Sequence, residues 1–381
     1  MSIAARPLDE ISAADVAAAD AASDPLHLAV LDSWSREQAE IAANAFANAG
    51  GGLIVVRSGA SLPDLGAIGA ALDPSGRHLV RARVLEVGGR QAGLLAVSES
   101  ASLPVLVAGS GAIYRQAEAG PAPVRTRASL DELIARDQLN RRRAETNAEG
   151  MIGRVAFGHF SYMTVAVVAA PRINTAATYR WARENRGRIL EAVSGFPGAW
   201  QLSDSDFAVE PGEIVANGGD DTAFVRVSRN GSVAAGVRQH RPAQGLYLPP
   251  AELSRLISAA AGVVMRPFAE ARAGLVLGSL FLESVRELRL PVDGGATAPA
   301  SKDLVQQYVA ERYLDDAGEC SAFRTDLLQA AGEVFGADLV AGDGEAYGGA
   351  IKAGPDPRNW HGLTRRTERR LAGLRGHGTG H

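Results

Sequence analysis

Residues 45–56 read AFANAGGGLIVV, and the fold of the first third of the chain is decided there. Ala45 to Asn48 close an alanine-rich helical run, Gly50, Gly51 and Gly52 cannot extend it and can adopt positive φ, and Leu53 to Val56 are uninterruptedly apolar. Helix, tight turn and buried strand are the expected result. Three consecutive glycines also expose backbone N–H groups, the raw material of a phosphate cradle. Such cradles put their glycines ahead of a helix, so that its positive end faces the anion. Here the glycines follow a helix, and they read as a helix stop leading into a strand.

Working outward from this corner, residues 26–31 form a short apolar run expected as a strand, and 35–49 a helix with Ser33 or Ser35 as N-cap and Glu37 in its first turn. Downstream, a helix is expected over 62–72 after Ser61. A hairpin follows, with strands 79–87 and 91–97 around Gly88-Gly89, then short strands at 103–107 and 112–116. A further helix begins near Ser129 and carries Leu130, Leu133, Ile134 and Leu139.

The serial order of these pieces resembles the Schlafen AlbA-type domain, a family described as DNA-binding. The resemblance rests on the AFAN-x-x-GG spacing with Asn48, Gly50, Gly51 and Gly52, on the strand at Leu94 to Val97 followed by Pro104, on the Tyr-x-Arg strand Ile113-Tyr114-Arg115, and on the helix start Ala128-Ser129-Leu130-Asp131-Glu132-Leu133. It covers roughly residues 26–139. It implies a mixed α/β fold and a nucleic-acid partner, DNA ahead of RNA. One feature departs from the pattern. Members carry a Glu-x-Lys-like pair on the strand before the first helix, and their nucleolytic relatives use clustered carboxylates for metal-assisted cleavage, whereas this chain reads Leu26-His27-Leu28-Ala29-Val30. His27 and Ala29 cannot supply the converging carboxylates that hold a divalent ion on a phosphodiester. The resemblance therefore implies a domain that binds without cutting, with no catalytic residue, metal or cofactor.

The rest of the chain reads as a second mixed α/β domain over 150–292, reached through Arg141, Arg142, Arg143 and a polar stretch to Gly150 that look like a linker. Its expected elements are a strand over 160–169, a helix over 175–193, strands over 207–216 and 223–229, a hairpin turn at Asn230-Gly231 returning through 233–239, a helix over 250–271 opened by Pro249-Pro250, and strands over 275–281 and 285–290. An acidic helical segment is expected over 300–350, with helices at 302–314 and 323–335, then a mobile basic tail over 351–381. Residues 1–24 read as an arm or weak helix.

At 381 residues and 46% hydrophobic content the chain can bury a sizeable core. No apolar run reaches the ~20 residues a membrane-spanning helix needs, and MSIAARPLDEISAADV lacks the order of a secretory signal, so a cytoplasmic protein without a membrane partner is expected. The single cysteine, Cys320, excludes an intrachain disulfide and reads as a plain buried thiol. The net charge of −4 excludes a globally basic binder but hides segregation: residues 1–150 carry 14 basic and 18 acidic groups, 151–290 carry 15 and 12, 291–350 carry 3 and 11, and 351–381 carry 7 and 2.

The arginines at and beyond the Tyr-x-Arg strand are the candidate phosphate contacts: Arg115, Arg125, Arg127, Arg136, Arg141, Arg142 and Arg143. A solvated surface balanced by Asp131, Glu132 and Asp137 is the competing reading. A second arginine set, Arg172, Arg180, Arg183, Arg186 and Arg188, does not share one helical face. Tyr114, Tyr162, Tyr179, Trp181 and Trp200 could stack on bases if exposed beside arginine. Two other functions are compatible with the residues. One is a diverged metal-dependent nuclease using Asp32, Glu37 and Glu40; the other is a protein-interaction scaffold. For the second domain, ligand sensing or self-association as a homo-oligomer is expected.

Overall fold

The computed structural model describes residues 2–59, 65–74, 76–156, 162–194, 202–203, 206–218, 223–240, 248–286, 288–292, 295–296, 300, 302–337 and 339. The chain is mixed α/β and divides into two compact units, Met1–Asn140 and Arg141–His381. Among the described residues, no helix is long and apolar enough to cross a membrane.

The N-terminal unit is built on a four-stranded sheet. A short helix, α1 (Ala13–Ala17), precedes strand β1 (Leu28–Leu31), helix α2 (Arg36–Ala47) and strand β2 (Gly52–Gly59). After a helical turn α3 (Ala67–Ala70) and strand β3 (Leu72–Asp73) comes the hairpin β4 (Val80–Val87) and β5 (Arg90–Val97), then the short strands β6 (Leu106–Val107), β7 (Tyr114–Ala117) and β8 (Gly120–Pro123). The strand order is β1-β2-β5-β4, with β1 parallel to β2 and the other pairs antiparallel. The parallel pair follows from the corner read in the sequence, because a helical crossover is what returns a chain to run beside itself. Ser35 caps α2 by accepting from the Gln38 N–H at 3.3 Å, and Gly88 and Gly89 close the hairpin at φ +59° and +77°.

Both faces of this sheet are covered. Ala39, Ala43, Phe46 and Ala47 of α2 pack on Ile54, Leu95 and Val97. Leu8, Ile11, Val16 and Ala19 pack on the opposite face against Leu53, Val55 and Leu94. The segment expected as an arm is thus part of the core. Its apolar residues were too sparse for a helical stripe, but they cover a sheet face through separate turns; Arg83 holds one of these turns by donating to the carbonyls of Leu8 at 2.7 Å and Ile11 at 3.1 Å.

Helix α4 (Arg127–Val155) runs through residues 140–150. The stretch expected as a linker is therefore helical. Its exposed side is polar, but Ala144, Ala148, Met151, Ile152 and Val155 recur at helical spacing and are buried.

The C-terminal unit centres on β9 (Tyr162–Pro171), followed by α5 (Ala177–Glu184), α6 (Arg186–Ser194), β10 (Phe207–Glu210), β11 (Glu213–Asn217), β12 (Ala223–Ser228), β13 (Val233–His240), α7 (Pro250–Ala271) and β14 (Leu275–Glu283). Two-residue strands β15 (Pro291–Val292) and β16 (Gly295–Ala296) precede β17 (Leu304–Tyr308), β18 (Arg312–Tyr313) and α8 (Ala317–Phe335). The strand order is β10-β11-β12-β13-β9-β14-β17, with β18 also on β14, and every neighbouring pair is antiparallel. Val165, Val167 and Ala169 of β9 face the core shared with α5 to α8, while the alternating Ala166, Val168 and Ala170 face the buried stripe of α4.

Four expectations are corrected here. Residues 302–314 are strands rather than a helix, and with α8 they belong to this unit instead of a separate acidic segment. β14 is buried along its whole length, so its second edge needs a partner that β17 and β18 supply. The helix expected over 175–193 divides at Asn185, which leaves helical geometry (φ −124°, ψ 40°) and whose side chain donates to the Trp181 carbonyl at 2.9 Å. The strand expected over 207–216 is a hairpin turned at Pro211-Gly212, with Gly212 at φ +89°. In the stretch expected as a strand over 285–290, Arg286 makes an isolated bridge to Ala300, and residue 287 lies outside the described residues. Residues 340–381, including the basic tail, lie outside the described residues.

Candidate nucleic-acid interface

At the corner, Asn48 is fully buried on the last turn of α2 together with Asn44, one helical turn earlier. Asn44 Oδ1 accepts from the Tyr114 N–H at 2.7 Å and its Nδ2 donates to the Val105 carbonyl at 3.0 Å. Asn48 Oδ1 accepts from the Val105 N–H at 2.8 Å, and its Nδ2 donates to the carbonyls of Val105 at 3.0 Å and Tyr114 at 3.1 Å. Two carboxamides thereby satisfy the backbone of the chain beside Pro104 and of the Tyr-x-Arg strand. The pieces quoted separately from the sequence are joined by hydrogen bonds. Asn44 was missed in the sequence, although an asparagine pair four apart in an alanine-rich buried helix face was a legible signal.

The glycines act as a stop and as a close approach. Gly50 and Gly51 adopt φ +124° and +85°, and a Cβ on Gly51 would lie 2.8 Å from the Val97 carbonyl oxygen. A Cβ on Gly52 would sit 2.6 Å from the Phe46 ring and 2.8 Å from the His27 carbonyl oxygen.

The seven candidate arginines fall into two groups. Arg115 pairs with Glu132 at 2.6 Å, Arg127 with Asp131 at 3.6 Å, Arg136 with Glu99 at 2.8 Å and Arg141 with Glu145 at 3.5 Å. Arg125, Arg142 and Arg143 are exposed, and among the described residues they make no ion pair. Arg115, Arg125, Arg127 and Arg136 belong to the N-terminal unit, and Arg141 to Arg143 to the C-terminal one. Tyr114 is half-buried, with its backbone held by both asparagines.

Of the carboxylates considered for a metal, Asp32 pairs with Arg57 at 3.6 Å and Glu40 with Arg36 at 2.7 Å. Among the described residues no group of three or more histidine, cysteine, aspartate or glutamate side chains is placed to hold a metal ion. Arg57 also donates to the Ala19 carbonyl. Cys320 is half-buried with Sγ 3.2 Å from the Leu314 carbonyl oxygen, and burial pushes its thiol pKa up, away from the reactive thiolate.

The second arginine set divides as well. Arg172 is buried against Glu311 at 3.2 Å and Arg188 pairs with Glu270 at 2.6 Å, while Arg180 and Arg183 stay exposed. Tyr179 is buried under the Arg229 guanidinium, 5.8 Å from its ring, and so is closed to a base, while Trp181 is half-buried with the Arg188 guanidinium 5.9 Å from its ring. Trp200 and the Tyr162 side chain lie outside the described residues. No family model matches the chain, and neither a curated protein nor a solved structure matches it.

Proposed function

We propose that this protein binds nucleic acid through its phosphate backbone and does not cut it, DNA being the favoured partner, with the N-terminal unit serving as a Schlafen AlbA-like module. The observation that carries this reading is the exposure of Arg125 in the N-terminal unit, and separately of Arg142 and Arg143 in the C-terminal one, without a carboxylate partner among the described residues. A guanidinium already paired to a carboxylate must give up that partner to meet a phosphate, whereas an unpaired one gains a charge-assisted contact and releases counterions from the nucleic acid. The separation of Asp32 and Glu40 onto arginines supports a non-cutting role. Electrophoretic mobility shift over a salt series tests the reading. Binding that weakens with salt and with Arg125→Ala, Arg142→Ala and Arg143→Ala combined is expected; absence of binding at low salt rejects it.

A second reading, an interaction scaffold for another protein, is favoured by the ion pairing of Arg115, Arg127, Arg136 and Arg141, which leaves four of the seven candidate cations already answered. A pull-down that recovers a protein and survives nuclease treatment supports that alternative.

A further inference from the structure

We infer that the C-terminal unit carries a further phosphate-contacting patch besides Arg142 and Arg143, formed by Arg180 and Arg183 of α5 and Arg229 of the β12–β13 turn, and that it engages a nucleic-acid backbone; this rests on the nucleic-acid reading above. Arg229 is 46 residues beyond Arg183 in the chain, but the turn that carries it is fastened to α5. Thr178 Oγ1 donates to the Gly231 carbonyl at 3.0 Å, and the Thr175 N–H donates to the Asn230 carbonyl at 3.1 Å. The approach is close enough that a Cβ on Gly231 would lie 2.6 Å from the Thr175 carbonyl oxygen.

On this fixed base the Arg229 guanidinium covers the Tyr179 ring at 5.8 Å. Arg183 follows Tyr179 by four residues, and Arg180 precedes Arg183 by three, spacings that make helix side chains neighbours. All three arginines are exposed, and among the described residues none makes an ion pair. Glu184, one turn beyond Arg180, forms no ion pair with it. Several other arginines of this unit are answered by acids, Arg172 by Glu311, Arg188 by Glu270, Arg226 by Glu213 and Arg312 by Asp326, whereas Arg142 and Arg143 share the unpaired state of these three. Arg229 is held over a ring of the same helix that carries Arg180 and Arg183, and three forked cations left unanswered there suit a chain of phosphates. Stacking on the ring fixes the plane of Arg229 while leaving its N–H groups free to donate. A lone carboxylate answers one such fork, whereas successive backbone phosphates answer several at once.

The test uses the full chain and a labelled 20-base-pair duplex, read by fluorescence anisotropy between about 50 and 200 mM salt. The variant Arg180→Ala/Arg183→Ala/Arg229→Ala is expected to lower the slope of log affinity against log salt by about 2 to 3, near 0.9 for each phosphate no longer neutralised, with an unchanged melting midpoint. The corresponding triple lysine variant is expected to keep the slope, and a lowered slope there would point to shape rather than charge and overturn the inference. An alanine variant with wild-type slope overturns it too. If that alanine variant keeps the wild-type slope while the Arg125, Arg142 and Arg143 variant lowers it, the proposed function stands and the second patch falls. A wild-type chain that does not bind the duplex removes both. Loss of polyglutamate binding with duplex binding intact assigns the patch to an acidic protein and overturns the inference.

Discussion

At Asn48 a carboxamide sits where water cannot reach it and supplies hydrogen-bond partners to the backbone of Val105 and to the Tyr114 carbonyl. Replacing it with alanine leaves buried N–H and C=O groups unsatisfied, at roughly 1–3 kcal/mol for each group. Asn48→Ala is therefore expected to destabilise the protein by about 2 kcal/mol or more in urea denaturation. Asn48→Asp is expected to be at least as costly, since a carboxylate would face two carbonyl oxygens. The glycines rank differently. Gly50→Ala meets no atom within 4 Å and costs only the positive-φ strain, about 1 kcal/mol, whereas Gly52→Ala drives a Cβ into the Phe46 ring and is expected to cost more. Equal losses at the two positions would contradict this assignment. Cys320 gives a chemical check. Because burial raises its pKa, the thiolate fraction at neutral pH is reduced, and alkylation by iodoacetamide is expected to be slower than for a free cysteine and to rise with pH past the ordinary thiol range.

At the level of elements, the residues between Asn140 and Gly150 separate two readings of the chain. A linker exposes Arg141, Arg142 and Arg143 to trypsin at once; a helix requires local unfolding before the peptide bond can enter a protease. Cleavage after these arginines is expected to track global unfolding across a urea series, and rapid nicking of the native protein would show that α4 is broken there. The corner at 45–56 and the hairpins at Gly88-Gly89 and Asn230-Gly231 were legible because their signals are local: glycine takes a φ that other residues avoid, and apolar runs must be buried. Helix α7 was legible to its ends for the same reason, with Pro250 at its first position. Residues 304–308 were not. Gln306 and Gln307 interrupt the apolar pattern, and only β14, distant in sequence and lacking a partner on one edge, makes that segment a strand.

Across the whole molecule, the candidate interface was legible as residue types but not as charges available to a ligand. Guanidinium groups are visible in a sequence; the carboxylates that neutralise them are fixed by helical spacing for Arg127 and Arg141, but by tertiary contact for Arg115 and Arg136. Arg229 is brought to α5, the helix of Arg180 and Arg183, only because a turn is bonded to a helix far from it in the chain. The formal charge of −4 makes the overall field mildly unfavourable to a polyanion, so any binding must come from local unpaired cations and must fall steeply with salt. Arginines with carboxylate partners should then contribute less than those without.

The most direct measurement compares the salt dependence of duplex binding for two full-length variants, one with Arg125, Arg142 and Arg143 changed to alanine and one with Arg115, Arg127 and Arg136 changed to alanine. The expected result is a slope lowered by about 2 to 3 in the first variant and by less than about 1 in the second. Equal slopes in wild type and both variants, or no binding by the wild-type chain at about 50 mM salt, would contradict a role for unpaired guanidinium groups in holding nucleic acid.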